Sequence, residues 1–318
     1  MPATVLRTIA LALLGAAIVV APARAEPLKV AKPAAIGFGF SMLDVGIEAG
    51  IFKKHGVEVQ SVVLAGSAKQ QQALVANAID ISMGAGTDLA FLVKGAPEKG
   101  VAALAGPPLN FVAMTSNDGK INSLADLKGK RISASTVGSI TYWFASQISV
   151  KQHWSGADAL TIVPLGDFDA MRAALVTGNI DAISATLEGA LVLEKAGQGK
   201  LLVKFGDLIH PFLTHVAFAS DTLIAQHPDA LRRFLAGWFD TVIWSKAHKD
   251  EMLRYSMEAT KLPADISSKA YDAEMPMFFD NGHFDPQDLK AVEEALIETH
   301  QLDKLPDTSK IITEEFLK

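Results

Sequence analysis

Residues 64–88 read LAGSAKQQQALVANAIDISMGAGTD, and this stretch decides the fold. Ser67 is a favourable helix N-cap, and Gln70 three residues later completes a capping-box pattern. The spacing predicts a helix from this cap, followed by a short buried strand in residues 79–83. The glycine-rich residues 84–88 then lead into another helix. The unit places helix N-termini beside strand ends, which is where open α/β sheets bind ligands.

The same pattern returns about a hundred residues later, in residues 165–183, LGDFDAMRAALVTGNIDAI. Gly66-Ser67 corresponds to Gly166-Asp167, and the segment that ends at Asp80 corresponds to the one that ends at Asp181. The spacing is about one domain length and is too long for a solenoid repeat. The repeat therefore predicts two similar α/β lobes, against the alternative of two ordinary segments that are alike by chance.

Composition limits the function further. The chain has 318 residues, enough for two domains, and its 49% hydrophobic and 20% charged residues are typical of a globular protein. The net charge of −6 gives no basic surface for nucleic acid. There is no cysteine, and the eight histidines have no ligand spacing. We therefore expect no disulfide, no metal, no cofactor and no lipid-modified N-terminal cysteine.

The N-terminus has the pattern of a secretory signal peptide. Arg7 precedes an apolar run in residues 9–20, and Ala23-Arg24-Ala25 is a cleavage site with small residues at both outer positions. The alternative is a membrane anchor, but the run is too short to span a bilayer comfortably. We expect residues 1–25 to be removed and the mature protein to act in the periplasm.

Two segments predict where the chain passes between lobes. Residues 116–120 are polar and turn-like, and residues 216–220 follow the second lobe. The expected domains are residues 26–115 in lobe 1, 116–215 in lobe 2, and 216–318 returning to lobe 1 as helices. Apolar residues then recur at helical spacing, which predicts a core-facing stripe formed by Leu231, Phe234, Leu235, Trp238, Phe239, Val242 and Ile243.

Three segments together resemble a known family: residues 49–59 (AGIFKKHGVEV), 66–80 (GSAKQQQALVANAID) and 124–132 (LADLKGKRI). They resemble the periplasmic solute-binding proteins of ABC importers, of the nitrate/sulfonate/taurine and thiamine-pyrimidine-precursor type. The resemblance covers nearly all of the mature chain. It implies a type II two-lobed α/β fold with two crossing segments and a ligand cleft between the lobes. It also implies hinge closure on a small organic solute, which a membrane permease then receives. We expect a monomer.

The candidate ligand-binding residues lie in loops that follow strand ends. On lobe 1 they are Phe38, Phe40, Ser41, Gly66, Ser67, Thr87, Asp88 and Asn110. On lobe 2 and near the return crossing they are Thr136, Gly138, Ser139, Thr141, Tyr142, Asp167, Glu188 and His215.

The chemistry of these loops leaves the charge of the ligand open. The hydroxyls beside helix N-termini suit a sulfonate, carboxylate or phosphate, although each is also an ordinary N-cap. Phe38 and Phe40 can cover an apolar ligand body or fill the interface between the lobes. Asp88, Asp167 and Glu188 instead favour an amino-bearing or cationic ligand, and no arginine lies in these loops.

The alternative function is an enzyme on the same fold, such as a menaquinone- or pyrimidine-precursor-pathway protein. The pyrimidine-precursor synthases that this architecture resembles carry a cysteine-rich iron motif, and this chain has no cysteine. It also has no Gly-x-Ser-x-Gly or His-Glu-x-x-His motif. The sequence therefore favours a binding protein.

Overall fold

The structure, a computed structural model, describes residues 27–35, 37–64 and 66–318, so the expected signal peptide lies outside the described residues. It contains two five-stranded sheets, each with helices packed against it. The strands are β1 Leu28–Lys32, β2 Val59–Val63, β3 Ile81–Ala85, β4 Glu98–Ala105, β5 Phe111–Thr115, β6 Arg131–Ala134, β7 Thr161–Pro164, β8 Ala182–Thr186, β9 Lys200–Lys204 and β10 His215–Ser220. The helices are α1 Phe38–Glu48, α2 Ile51–Lys54, α3 Ser67–Val75, α4 Leu89–Val93, α5 Ile140–Lys151, α6 Phe168–Val176, α7 Leu187–Lys195, α8 Asp221–Gln226, α9 Pro228–Ala247, α10 Lys249–Thr260, α11 Ala264–Glu274 and α12 Pro286–Glu298.

The two sheets have the same topology, which confirms the two-lobed α/β fold. The strand order is β2-β1-β3-β10-β4 in the first and β7-β6-β8-β5-β9 in the second. The first three strands in each of these orders are parallel to one another. The fourth strand directly follows a crossing from the other lobe and is antiparallel to the third. The fourth strands are β10 and β5; β10 completes lobe 1 from a position distant in sequence, whereas lobe 2 is formed by the consecutive strands β5 to β9.

The internal repeat extends to individual hydrogen bonds. Asp80 accepts the Lys29 N–H at 2.8 Å, and Asp181 accepts the Arg131 N–H at 2.9 Å. Asp80 thereby joins the residue before β3 to the start of β1, and Asp181 joins the residue before β8 to the start of β6. Gly66 and Gly166 match as well, with φ of 81° and 84° ahead of the equivalent helices α3 and α6. Only glycine adopts this left-handed backbone at low cost.

The first crossing lies earlier than the sequence suggested. The strand Phe111–Thr115, assigned above to lobe 1, pairs with β8 and β9 in the second sheet. The chain therefore crosses at residues 106–110, and returns at residues 205–214 before β10. A buried apolar strand looks alike in either sheet, because the pattern of burial reports no pairing partner.

Two local predictions also need correction. Ser67 is the first residue of α3 and Gly66 occupies the N-cap position, so the capping box is absent. In α9 the predicted stripe is buried except for Ile243, which is 51% exposed. None of the helices among the described residues is long and apolar enough to cross a membrane.

Aromatic rings hold the return crossing on lobe 2. Phe144 of α5 stacks on Phe205, with ring centroids 5.0 Å apart. Trp143 stacks on Phe212 at 4.9 Å, and its indole N–H donates to Glu298 at 2.8 Å. Because Glu298 ends α12, which packs on residues 86–88 of lobe 1, this cluster connects both lobes at the hinge.

The repeat leads to a test of stability. Replacing Asp181 by Ala leaves the Arg131 N–H of β6 without its acceptor and should lower the free energy of unfolding by about 1–3 kcal/mol in urea titrations. The control is Asp169→Ala, since Asp169 is exposed and lies 3.7 Å from Arg172. It should cost less than about 1 kcal/mol. Equal losses in the two variants would contradict the assigned role of Asp181.

Candidate functional site between the lobes

The N-terminus of α1 faces a glutamate of the other lobe. The first N–H groups of a helix have no partner within it, and here the Phe38 N–H donates to Oε1 of Glu188. Glu188 lies in the first turn of α7, directly after β8 of lobe 2. The contact joins residues that are 150 positions apart in sequence.

The backbone fixes the position of Glu188. The Thr186 hydroxyl caps α7 by accepting the Gly189 N–H at 3.5 Å, and the Leu187 N–H donates to the carbonyl of Asn110 at 2.9 Å. Asn110 belongs to the first crossing segment, so the hinge itself orients this carboxylate. Burial raises the pKa of Glu188, and the Phe38 N–H offsets part of this rise.

A second carboxyl lies at the same helix end. Glu274 is the last residue of α11 and is fully buried. A Cβ placed on Gly39 would lie 3.5 Å from its Oε2, so the carboxyl group lies against the first turn of α1. Burial, and then the negative charge of Glu188, raise the pKa of Glu274 well above its usual range. No pattern in the sequence points to this residue, because α11 reads as an ordinary surface-packed helix.

Asn110, His215 and Phe40 form the adjacent part of the site. The Asn110 amide lies 3.0 Å from Nε2 of His215, at the start of β10. The Phe40 ring packs edge-on against the imidazole, with centroids 4.6 Å apart. Burial lowers the pKa of His215 to about 4, although the Gly84 backbone raises it in part, so the ring is neutral near pH 7.

The structure therefore brings five of the predicted residues together. They come from α1, the first crossing segment, α7 and the start of β10, namely Phe38, Phe40, Asn110, Glu188 and His215. Tyr271, which was not predicted, adds a ring edge-on to Phe38 at a centroid distance of 6.0 Å.

The hydroxyl-rich loop of lobe 2 is hydrogen-bonded within itself. Ser139 caps α5 by accepting the Tyr142 N–H at 3.2 Å. The Ser135 hydroxyl bonds to those of Ser139 and Thr141 at 2.9 and 2.8 Å. Gln301, beyond α12, donates to the carbonyl of Gly138 at 2.8 Å. Thr136 is exposed and Tyr142 half-buried. Contact of this loop with a ligand stays a prediction.

Other predicted residues have structural partners. Ser41 is buried, and its hydroxyl donates to the Phe38 carbonyl at 2.7 Å. Asp167 is exposed and caps α6 through the Ala170 N–H at 2.9 Å. Gly66 is exposed and Ser67 half-buried at the start of α3, while Thr87 is buried in the turn after β3.

The Asp88 carboxylate forms a hydrogen bond within its own loop, accepting the Ala85 N–H at 2.9 Å. Burial raises its pKa to about 6, and the hydroxyl of Ser67 and the Ala85 N–H each lower it in part. The buried ammonium of Lys32, at the end of β1, is paired with Asp44 of α1. The charge at the α1 N-terminus is thus set by Glu188 and Glu274.

Two cavities lie away from these residues. One of about 510 Å³ lies between α5 and α12, lined by Trp143, Gln147 and Glu298 among others. One of about 740 Å³ lies near the start of β1 and the start of α9. No group of three metal-ligating side chains that could hold a metal ion occurs in residues 27–35, 37–64 or 66–318.

Two lobes of equal topology, joined by crossing segments and meeting over buried polar residues, define the type II periplasmic-binding-protein fold. The periplasmic aliphatic sulphonate binding protein SsuA from Escherichia coli has this fold. It matches with a TM-score of 0.76 over 91% of this chain and 92% of that chain, at 16% identity. The desulfurization enzyme DSZB matches with a TM-score of 0.68 over 91% and 97% of the two chains, also at 16% identity.

The sequence comparisons identify the family. A putative aliphatic sulfonates-binding protein of Bacillus subtilis (strain 168) is 24% identical over 278 residues, which are 84% of this chain and 80% of that protein. The family model described as NMT1/THI5 like matches residues 38–252, and the chain belongs to this family. The resemblance drawn from the three sequence segments is thereby confirmed.

A separate buried carboxyl lies at the far end of the first sheet. β4 pairs with β10 from Ala105 beside His215 to Glu98 beside Ser220. Glu98 is therefore about 20 Å from the cleft end of β4. Burial raises its pKa to about 8; Gln71 lowers it in part, and the charges of Asp88 and Asp221 raise it further.

The raised pKa of Glu98 should make the stability of the folded protein depend on pH. The folded chain holds a proton on Glu98 that the unfolded chain releases above a pKa of 4.5, so stability falls as pH rises from about 4.5 to about 8. Glu98→Gln removes this loss. Its melting temperature should exceed that of the wild type by about 2 °C or more at pH 9, with little difference at pH 5.

The control for this pH effect is Glu194→Gln, on the exposed side of α7. Melting curves from pH 4 to 9 should show the wild-type slope in the control and a flatter slope in Glu98→Gln. Parallel curves for Glu98→Gln and the wild type would contradict the assignment.

Proposed function

We propose that this chain is the extracytoplasmic solute-binding component of an ABC importer, and that it captures a small organic solute between its lobes. The observation that carries this proposal is the convergence of buried polar groups at one place. Glu188 comes from lobe 2, Asn110 from a crossing segment, and His215 and Phe40 from lobe 1. A solute held there would contact both lobes and would favour their closed arrangement.

The relatives support this proposal. Two of the binding proteins that resemble the chain are described as binding aliphatic sulfonates, and one of them is periplasmic. By analogy, the solute is a small organic molecule, and the partner is a membrane permease that receives it. The predicted signal peptide, residues 1–25, would place a monomeric mature protein in the periplasm.

An enzymatic role is the second candidate, since the desulfurization enzyme DSZB shares the fold. The sequence offers no cysteine as a nucleophile, and the neutral His215 lies against Asn110 and Phe40 rather than against a hydroxyl nucleophile. A carrier fits these residues better, because binding requires complementary groups and no reacting pair.

Ligand binding to the refolded mature chain tests the proposal. Residues 26–318 are unfolded and refolded to remove carried-over solute, and then screened by thermal shift against sulfonates, carboxylates, aromatic acids, pyrimidines and amines. A solute at about a hundred times its dissociation constant adds about 2.7 kcal/mol of stability. The solute should also lower the radius of gyration in X-ray scattering, and mass spectrometry should recover it unchanged.

A matched pair of variants locates the binding site. Phe40→Ala removes the ring on His215 and should weaken the shift. Trp244→Ala removes a comparable half-buried ring, stacked on His248 at 4.7 Å on the outer side of lobe 1, and should not. No shift with any class of solute would contradict a small-solute carrier, and a chemically altered solute would favour the enzyme.

A further inference from the structure

Three carboxyl oxygens at the cleft lack a hydrogen bond of normal geometry, although the backbone of Gly39 and Glu188 and the Thr186 side chain lie near enough to lower the two pKa values in part. The three oxygens are Oε2 of Glu188 and both oxygens of Glu274, and none of the described residues bonds to them with normal geometry. Glu188 is 2% exposed and Glu274 is 0% exposed. Burying a carboxyl group without a hydrogen-bond donor lowers the stability of the fold by about 1–3 kcal/mol or more. A bound ligand that donates to these oxygens would offset that loss.

A neighbouring amide points to the same conclusion independently. Asn110 is 5% exposed, and its Oδ1 also lacks a donor among the residues that the structure describes. Its carbonyl accepts the Leu187 N–H, so it is the immediate neighbour of Glu188. The unfilled positions at the cleft are therefore mainly acceptors, contributed by lobe 2, a crossing segment and α11.

An anion fits this place poorly. The α1 N-terminus would attract one, but Glu188 already accepts the Phe38 N–H. Glu274 lies against Gly39 in the same turn. An anionic group would have to displace the Glu188 carboxylate from the Phe38 N–H, and like charges at close range repel strongly at buried sites.

We propose that Glu188 and Glu274 bind a nitrogen group of the solute that donates at least two N–H hydrogen bonds, such as an ammonium, amidinium or amino-heterocycle. The proposal rests on the proposed function and names the chemistry of its ligand. One nitrogen group between the two carboxyls would link α7 of lobe 2 to α11, which packs on α1. Phe38, Phe40 and Tyr271 would then surround the apolar part of the solute.

Probes of equal shape and opposite charge test this inference. The refolded mature chain is titrated with benzamidine, benzoate and benzenesulfonate by calorimetry, and 4-aminopyrimidine serves as an uncharged donor. Benzamidine or 4-aminopyrimidine should bind, and the two anions should bind at least about tenfold more weakly. Glu188→Gln and Glu274→Gln should each weaken benzamidine binding about thirtyfold or more, because each replaces a buried acceptor oxygen that can ionise beside the cation with a neutral amide N–H₂.

Glu98→Gln is the matched control. It also replaces a buried carboxyl that makes no hydrogen bond of normal geometry with the described residues, about 20 Å from the cleft, and it should leave binding unchanged. Circular dichroism and the melting temperature show whether each variant folds. Glu274→Gln should melt no lower than the wild type at pH 8, because the raised pKa of Glu274 costs the wild type stability as pH rises and the amide does not titrate.

The outcomes separate the inference from the proposed function. If an anion binds best and binds equally well to Glu188→Gln and Glu274→Gln, the inference is wrong and the solute-binding function stands. If neither nitrogen probe binds, the inference is also wrong. If no solute of any class stabilises the protein in the broader panel, the proposed function fails as well.

Discussion

The contact that joins the two lobes at the candidate site is the hydrogen bond from the Phe38 N–H to the Glu188 carboxylate. It places a negative charge of lobe 2 at the positive end of a lobe 1 helix, which is the favourable direction for the helix dipole. The topology makes this contact possible. Each sheet receives one antiparallel strand from across the hinge, so the loops after β1 and β8 face each other.

Burial shifts the pKa values of the titratable groups around this contact. The pKa values of Glu188 and Glu274 rise because water is excluded, and the pKa of His215 falls for the same reason. The site therefore holds a neutral imidazole beside acceptor-rich carboxyl groups, with the Lys32 ammonium already paired to Asp44. Stability spent on buried, unpaired acceptors is typical of a functional site rather than of a structural core.

Much of the fold could be predicted from the sequence because the two lobes repeat their local rules. The segments that end at Asp80 and Asp181 form equivalent hydrogen bonds, and Gly66 and Gly166 form equivalent turns. Lobe membership of β5 could not be predicted, since strand pairing is a long-range property that burial patterns do not encode. Ser67 failed as a cap because the glycine before it takes the N-cap position.

The site was only half predictable for a related reason. Glu188, Asn110 and His215 follow or precede strands, where the α/β rule directs attention. Glu274 ends a helix of the C-terminal segment, and only the packing of α11 against α1 and α7 brings it to the cleft. The hydroxyl loop of lobe 2 matched the anion-binding pattern, yet its hydroxyls bond to one another and to the backbone.

Amide hydrogen exchange at Phe38, measured at single-residue resolution, tests the central claim most directly. The first N–H groups of an isolated helix end exchange rapidly, because they have no partner within the helix. The account predicts a protected Phe38 amide in the wild type and loss of that protection in Glu188→Ala, while the amides of β1 and β6 keep theirs. Equal exchange of the Phe38 amide in both proteins would contradict the contact between the lobes that the account assigns to Glu188.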